Sequence, residues 1–474
     1  MTEQDDTRAP LPGTVPVSTG ILAPAYAATT IGMFALIAIV AFEAMAVVTV
    51  MPSIARDLDG VPLYALSFAA PLASGVIGMV AAGGWSDRRG PTLPLVASLV
   101  LFCLGLVVCG TAPTMELLVA GRVLQGLGGG ALTVGLYVIV GLVYDEDQQP
   151  SVFASFAAAW VLPSLFGPGV AAAVAHAWGW RWVFLSVVVL AAFATLLIAP
   201  ALRGLPTREP VGGRSRGPGT PLAWAVLAAV AVLAVELLGS DEGAGPLLAG
   251  CALVVLGVAV RPLLPRGTLV AARGLPAVIG TRGILAASFF CAEAYIAYVL
   301  QEDWDLSPGR AGIALTVVGL VWAGASQVQA RLGSLVGHVT LMRVSTATVL
   351  VGTTSLWLVV WLHLWAPLAV VAYAVCGAGM GLGYPRTGVA MLAASSADDR
   401  GFNAAALSIA DALGAALALS VSGVAFTTAD RLGGDPFLAA FGVAVASGLV
   451  GVLVAARTSP QRERAGSEGA PSPG

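Results

Sequence analysis

Apolar stretches long enough to cross ~30 Å of hydrocarbon recur along almost the whole chain, separated by short polar breaks. The pattern predicts six spans at about 29–51, 63–84, 91–110, 115–143, 151–175 and 181–202. Two more are expected at 220–239 and 245–262, and six at 278–300, 310–331, 341–362, 366–390, 402–427 and 435–456. The breaks divide the chain into an N-terminal tail (1–28), a six-helix bundle (29–202) and a linker rich in Gly, Pro and Arg (203–219). An inserted two-helix hairpin (220–262), a second six-helix bundle (263–456) and a Gly-, Pro- and Ser-rich tail expected to be disordered (457–474) follow. Six spans, a pair, then six predict an all-α integral membrane protein of fourteen transmembrane helices. Paired bundles of this kind place a binding site between the halves near the bilayer midplane.

Charge refines this picture. Only 10% of the 474 residues are charged, against about 25% in soluble proteins. With the N-terminus inside, seventeen Arg fall in inner segments and four (Arg56, Arg181, Arg310, Arg431) in outer ones. Removing one span would invert every later loop, so the bias supports an even count with both ends cytoplasmic. All 23 basic residues are Arg, which excludes a Walker-A lysine and a Schiff-base lysine. The net charge of −3 gives no reason to expect a nucleic-acid partner. The five Cys lie in apolar runs, the three His do not cluster, and no metal site is expected. Residues 1–28 are polar and Pro-rich and do not read as a cleaved signal. No Gly-x-Ser-x-Gly and no extended soluble segment is present, so the chain is not expected to be an enzyme.

Several motifs fall in order along the first half. Residues Gly83-Gly84-Trp85-Ser86-Asp87-Arg88-Arg89-Gly90 form a loop after the second span. Arg122-Val123-Leu124-Gln125-Gly126 lies in the fourth span, and Gly167-Pro168-Gly169 in the fifth. Span one carries Glu43 nine residues before Pro52. Together these resemble the signatures of the major facilitator superfamily, and the Glu43 and Gly167-Pro168 segments resemble its fourteen-helix drug:proton antiporters. Ala171 and Ala172 stand where the antiporter motif closes with a Gly pair. The resemblance implies two six-helix bundles plus the inserted hairpin, and no cofactor beyond protons as coupling ion. It further implies proton-coupled export of hydrophobic or amphipathic small molecules by a monomer in a bacterial cytoplasmic membrane. Export of one endogenous lipid or secondary metabolite, and proton-coupled uptake, share the same fold. It also implies a cytoplasmic gate at Gly83, Asp87, Arg88 and Gly90; Asp145, Glu146 and Asp147 follow span four on the same side, and any one of them is a candidate partner for Arg88.

Charges deep in the spans are functional candidates, since each costs ~3 kcal/mol or more at the bilayer centre. They are Glu43, Arg122, Glu293 and Asp411, with Arg386 nearer the inner face and Glu236 at the interfacial end of the hairpin. A ~1.5 Å rise per residue puts Glu43 and Arg122 at one depth, ~18–20 Å from the inner face, so the two are expected to pair if their spans adjoin. Glu43 is then the candidate proton carrier, because burial favours its neutral form and a guanidinium its charged form. Glu293 and Asp411 are candidates for a second proton or a cationic substrate. Gln125, Tyr137, Trp160, Phe290, Tyr295 and Tyr298 are candidates to line the cavity, and Gly167 and Pro168 to shape span five. The small-residue pairs Gly126/Gly130, Gly377/Gly381 and Gly379/Gly383 are expected to seat close helix contacts.

Overall fold

The computed structural model describes residues 20–24, 26–145, 148–203, 219–239, 244–332, 335–396 and 399–459. The linker 203–219 and both tails lie almost wholly outside these residues. The described chain is helical throughout. The first half holds α1 (Ala27–Asp57), α2 (Tyr64–Arg89), α3 (Thr92–Thr111), α4 (Met115–Val143), α5 (Gln149–Ala158), α6 (Val161–Trp178) and α7 (Arg181–Arg203). A pair follows, α8 (Gly219–Gly239) and α9 (Gly245–Ala259). The second half holds α10 (Leu275–Glu302), α11 (Pro308–Ala311), α12 (Ile313–Leu332), α13 (His338–Trp361), α14 (Ala366–Ala393), α15 (Arg400–Arg431) and α16 (Pro436–Ala455). Among the described residues, twelve helical stretches are long and apolar enough to cross a membrane. Arg181–Leu197 and Gly245–Ala259 are apolar but shorter.

Three helix boundaries depart from the sequence reading. Span one does not end at Pro52, because α1 continues to Asp57 with the proline inside it. A missing N–H there removes one ladder bond without ending the helix. Span five is interrupted by a turn at Ala159–Trp160, between α5 and α6. The Trp160 carbonyl accepts both the Ser164 N–H (3.0 Å) and the Ser164 hydroxyl (2.8 Å) across the break. The Gly83–Arg89 motif is not a loop but the last turns of α2, and Gly90 terminates the helix at φ 77°, ψ 170°, a backbone region that favours glycine.

The helices fill both halves in the same way. In the first half α4 wedges between α2 and α3. Its Gly126 and Gly130 face α2, where a methyl on Gly130 would stand 2.0 Å from the Gly75 carbonyl oxygen. Its Gly121 and Gly128 face α3 at Cys109 and Phe102. In the second half α14 wedges between α12 and α13. Gly377 and Gly381 face α12 at Val318 and Trp322, while Gly379 and Gly383 face α13 at Val349 and Ser345. The interlaced small-residue pairs thus serve two neighbours each, and the packing repeat joins the halves as structural copies.

The described Arg residues at helix ends separate onto two faces. On one, Arg457 donates to the Val270 carbonyl (3.1 Å) and Arg343 to the Ala456 carbonyl (2.8 Å). On the other, Arg181 pairs with Asp57 (3.6 Å) and Arg56 with Glu302 (2.5 Å). The halves meet on this Arg-poor side and around the middle: α2 lies along α15, and α6 along α12 through Pro168/Gly312 and Ser164/Gly319. Helix α8 packs against both α2 and α15, and α9 packs on α8.

Candidate functional site

Glu43 of α1 and Arg122 of α4 form a buried ion pair at 2.6 Å. The same Nη1 donates to Gln125 Oε1 (2.7 Å), one helical turn on, and Arg122 Nε donates to the Ser67 carbonyl of α2 (3.0 Å). One guanidinium therefore ties α1, α2 and α4 together in a water-poor setting. Gly167 and Pro168 are buried against this site from α6. A methyl on Gly167 would meet Met45 Cβ at 3.3 Å and Phe42 at 3.7 Å, residues two after and one before Glu43. Pro168 in turn lies on Gly312 of the second half, so the motif bridges the proton-carrier candidate to the seam.

The second half carries its own charged network. Arg282 of α10 donates from Nε to Asp411 Oδ1 (2.8 Å), and from Nη1 to the Tyr384 carbonyl (3.0 Å) and Thr387 Oγ1 (3.2 Å). Tyr384 donates its hydroxyl to Asp411 Oδ2 (2.7 Å), and its ring underlies the guanidinium. Sequence reading counted Arg282 among the inner topology arginines; its place in the second turn of α10 makes it the partner of Asp411 instead. An aromatic path leads from this pair through Trp322 and Phe289 to Tyr373, beside which buried Glu293 lies. Arg386 is bonded to both the side chain and the carbonyl of Gln329.

The aromatic candidates separate into two groups. Tyr137 of α4 is 46% exposed, packs on Phe153 and Phe156, and lies in electrostatic range of Arg282 and Asp411. Trp160 is exposed at the α5–α6 turn, and Phe290 is half-buried beside Phe289. Tyr295 and Tyr298 form the second group. They are buried with Phe426 and Phe437 under the Arg-poor face, and Tyr64 of the first half inserts between them. The Tyr64 hydroxyl donates to the Ala294 carbonyl at 2.5 Å.

The gate candidates are not brought together. Arg88 and Asp145 are exposed, and no ion pair joins them among the described residues. The Asp87 side chain, Glu146 and Asp147 fall outside the described set. Two residues were missed or misplaced by sequence reading. Arg282 was within reach, since it lies inside the apolar run at 278–300. Glu236, read as interfacial, is only 2% exposed and sits between α8, α2 and α15.

The comparisons with known proteins agree with this architecture. The family model described as Major Facilitator Superfamily matches residues 33–292, more than half of the chain. A Mycobacterium tuberculosis protein named "Probable multidrug-efflux transporter" is 26% identical over 455 residues, covering 90% of this chain and 93% of its own. The Bacillus subtilis multidrug transporter protein MdtP is 28% identical over 171 residues, covering 36% of this chain and 32% of its own. A POT family transporter crystallised with 5-aminolevulinic acid superposes with a TM-score of 0.65 at 15% identity, covering 90% of this chain and 94% of that one. The xylose transporter XylE from E. coli, in a partially occluded inward-open form, gives a TM-score of 0.60 at 15% identity over 92% of this chain and all of its own. Paired helical halves, a charged centre in each and a family match across the first half lead to one assignment: this chain belongs to the Major Facilitator Superfamily of multi-pass membrane transporters.

Proposed function

We propose that the chain is a proton-coupled antiporter that exports hydrophobic or amphipathic small molecules by alternating access. The observation that carries this reading is the buried Glu43–Arg122 pair, held with Gln125 and Ser67 where α1, α2 and α4 meet. A proton on Glu43 cancels the charge that Arg122 holds, loosens α1 from α4, and so links proton binding to movement of the helices lining the seam. The names of the relatives, multidrug transporters in two bacteria, support export and a broad apolar substrate range. Assigning the Arg-rich face to the cytoplasm puts both termini inside a bacterial cytoplasmic membrane and makes this conformation inward-facing. In this reading the shorter helices α7 and α9 also span, which brings the twelve to fourteen with α8 and α9 as an inserted hairpin, and one copy suffices for transport. Tyr137, Trp160 and Phe290 offer apolar surface to substrate, and Asp411 with Arg282 offers charge.

The test is reconstitution into liposomes with an imposed pH gradient, following a lipophilic cationic dye. The wild type is expected to move dye against its gradient as protons run down theirs. Glu43→Gln is expected to abolish the pH-driven flux while leaving dye binding intact. Unchanged pH-driven flux in that variant would sink the assignment of Glu43.

A further inference from the structure

Glu236 is the eighteenth of twenty-one residues in α8, three short of the helix end on the Arg-poor side. The residue is 2% exposed. Its carboxyl lies on the bare backbone of α15: a methyl on Gly423 would stand 2.5 Å from Glu236 Oε1 and 2.9 Å from Ala65 Cβ of α2. The Leu66 backbone of α2 and the Ser420 side chain of α15 are within its reach. A carboxyl of the inserted pair is thus keyed into the line where the first half meets the second.

The titratable groups around it come from four elements. Tyr295 of α10 faces it. Tyr64 of α2 lies against Tyr295 with its hydroxyl committed to the Ala294 carbonyl. On α15, Asp411 is bonded to Arg282, while Asp430 and Arg431 lie about two turns beyond Gly423 toward the Arg-poor face. The titratable residue of α9 is Cys251, which is exposed.

We propose that Glu236 is a further proton-binding site of the transport cycle, through which the α8–α9 pair takes part in opening the seam between α2 and α15. The inference rests on the antiport reading above. Removal from water disfavours a carboxylate far more than the neutral acid, so the closed junction holds the acid. Parting α2 from α15 exposes the same carboxyl to water on the Arg-poor side, where it exchanges its proton with that compartment. Acid on that side therefore favours closure of that face, and alkali favours its opening. Gly423 is what brings the carboxyl onto α15; any side chain there would displace it.

The experiment reads the seam directly, without substrate or gradient. Spin labels at Pro62→Cys and Leu432→Cys, exposed on opposite halves at the Arg-poor face, report its width. The accessible Cys103 and Cys251 are replaced by Ala in this background. The wild type is expected to show the long-distance fraction rising about threefold from acid to alkaline buffer. Glu236→Gln is expected to hold the low-pH distribution throughout, and Glu236→Asp to keep a pH response. Because Gln mimics the neutral acid, Glu236→Gln is also expected to fold with at least wild-type thermal stability at neutral pH. A wild-type pH response in Glu236→Gln overturns the proposal, and so does failure of that variant to fold. Absence of pH-driven dye flux in the wild type would overturn antiport itself, while the label distances would still decide the role of Glu236.

Discussion

Arg122 holds three acceptors on three helices, and its chemistry makes the pair fragile in one direction. Removing one member leaves the other charged and buried, a loss of about 3–5 kcal/mol in comparable pairs. Arg122→Met is therefore expected to destabilise the folded state by about that much, and the double variant with Glu43→Gln to recover part of it. Equilibrium unfolding in mixed micelles measures both, and simple additivity of the two losses would show the pair to be uncoupled. A second residue-scale prediction concerns Asp303, which caps α10 outside the membrane-spanning segment. Burial raises its carboxyl above the ordinary carboxylate range; Asp435 and Glu302 add to the rise and His363 opposes it. A raised folded-state value means that folding is favoured while the group is protonated, and that this contribution is lost as pH climbs through the folded value. Asp303→Asn is thus expected to melt above the wild type at neutral pH, with the gap closing in acid; thermal melts at the two pH values test it. At this scale the sequence reveals depth but not azimuth. Glu43 and Arg122 could be matched because distance along a helix is arithmetic. The partner of Asp411 could not, because Arg282 reads as a topology charge, and Glu236 reads as solvated because its cover comes from residues on two remote helices.

The elements show why the spans were legible and their interruptions were not. Hydrophobic length fixes where a helix can cross hydrocarbon, so most predicted spans agree with the helices to within several residues. Pro52, Trp160 and Gly90 decide instead whether a helix bends, breaks or ends, and that depends on which neighbours take up the freed backbone groups. Caps are local and easier to read: Asp435 accepts the N–H groups of Phe437 (2.9 Å) and Leu438 (3.1 Å) ahead of a proline at the first position of α16. Close packing is a sharper consequence of the small-residue pairs. At Gly130 an added carbon meets backbone of α2 rather than a flexible side chain, whereas nothing lies within 4 Å of one added at Gly388. Gly130→Ala is therefore expected to lower the yield of monodisperse protein and its melting temperature strongly. Gly388→Ala is expected to be neutral or stabilising by up to about 1 kcal/mol through helix propensity. Size-exclusion profiles of the two variants side by side check this, and equal profiles would show that α4 does not depend on its approach to α2.

Alternating access requires the contacts closing one face to be strong enough to hold and weak enough to break, and the Arg-poor seam offers two of very different weight. The Arg56–Glu302 pair is exposed at both ends, with side chains 45% and 38% accessible, so screening by water leaves it ~0–1 kcal/mol. Tyr64 is another matter. It is the ring the first half contributes to the buried cluster of Tyr295, Tyr298, Phe426 and Phe437, and its hydroxyl bonds Ala294. Withdrawing that ring forfeits both packing and a hydrogen bond, about 3–5 kcal/mol for truncation to Ala. Part of this loss falls on the closed state alone, since the partners of Tyr64 belong to the other half. Glu302→Gln is accordingly expected to shift the conformational balance by no more than about fivefold. Tyr64→Ala is expected to shift it by tenfold or more toward the form open on the Arg-poor face. Tyr64→Phe, which keeps the ring and loses the hydroxyl, is expected to fall between. The label pair at Pro62 and Leu432 ranks the three variants. An order in which Glu302→Gln opens the seam further than Tyr64→Ala would mean that surface charge, and not the inserted tyrosine, keeps this face shut.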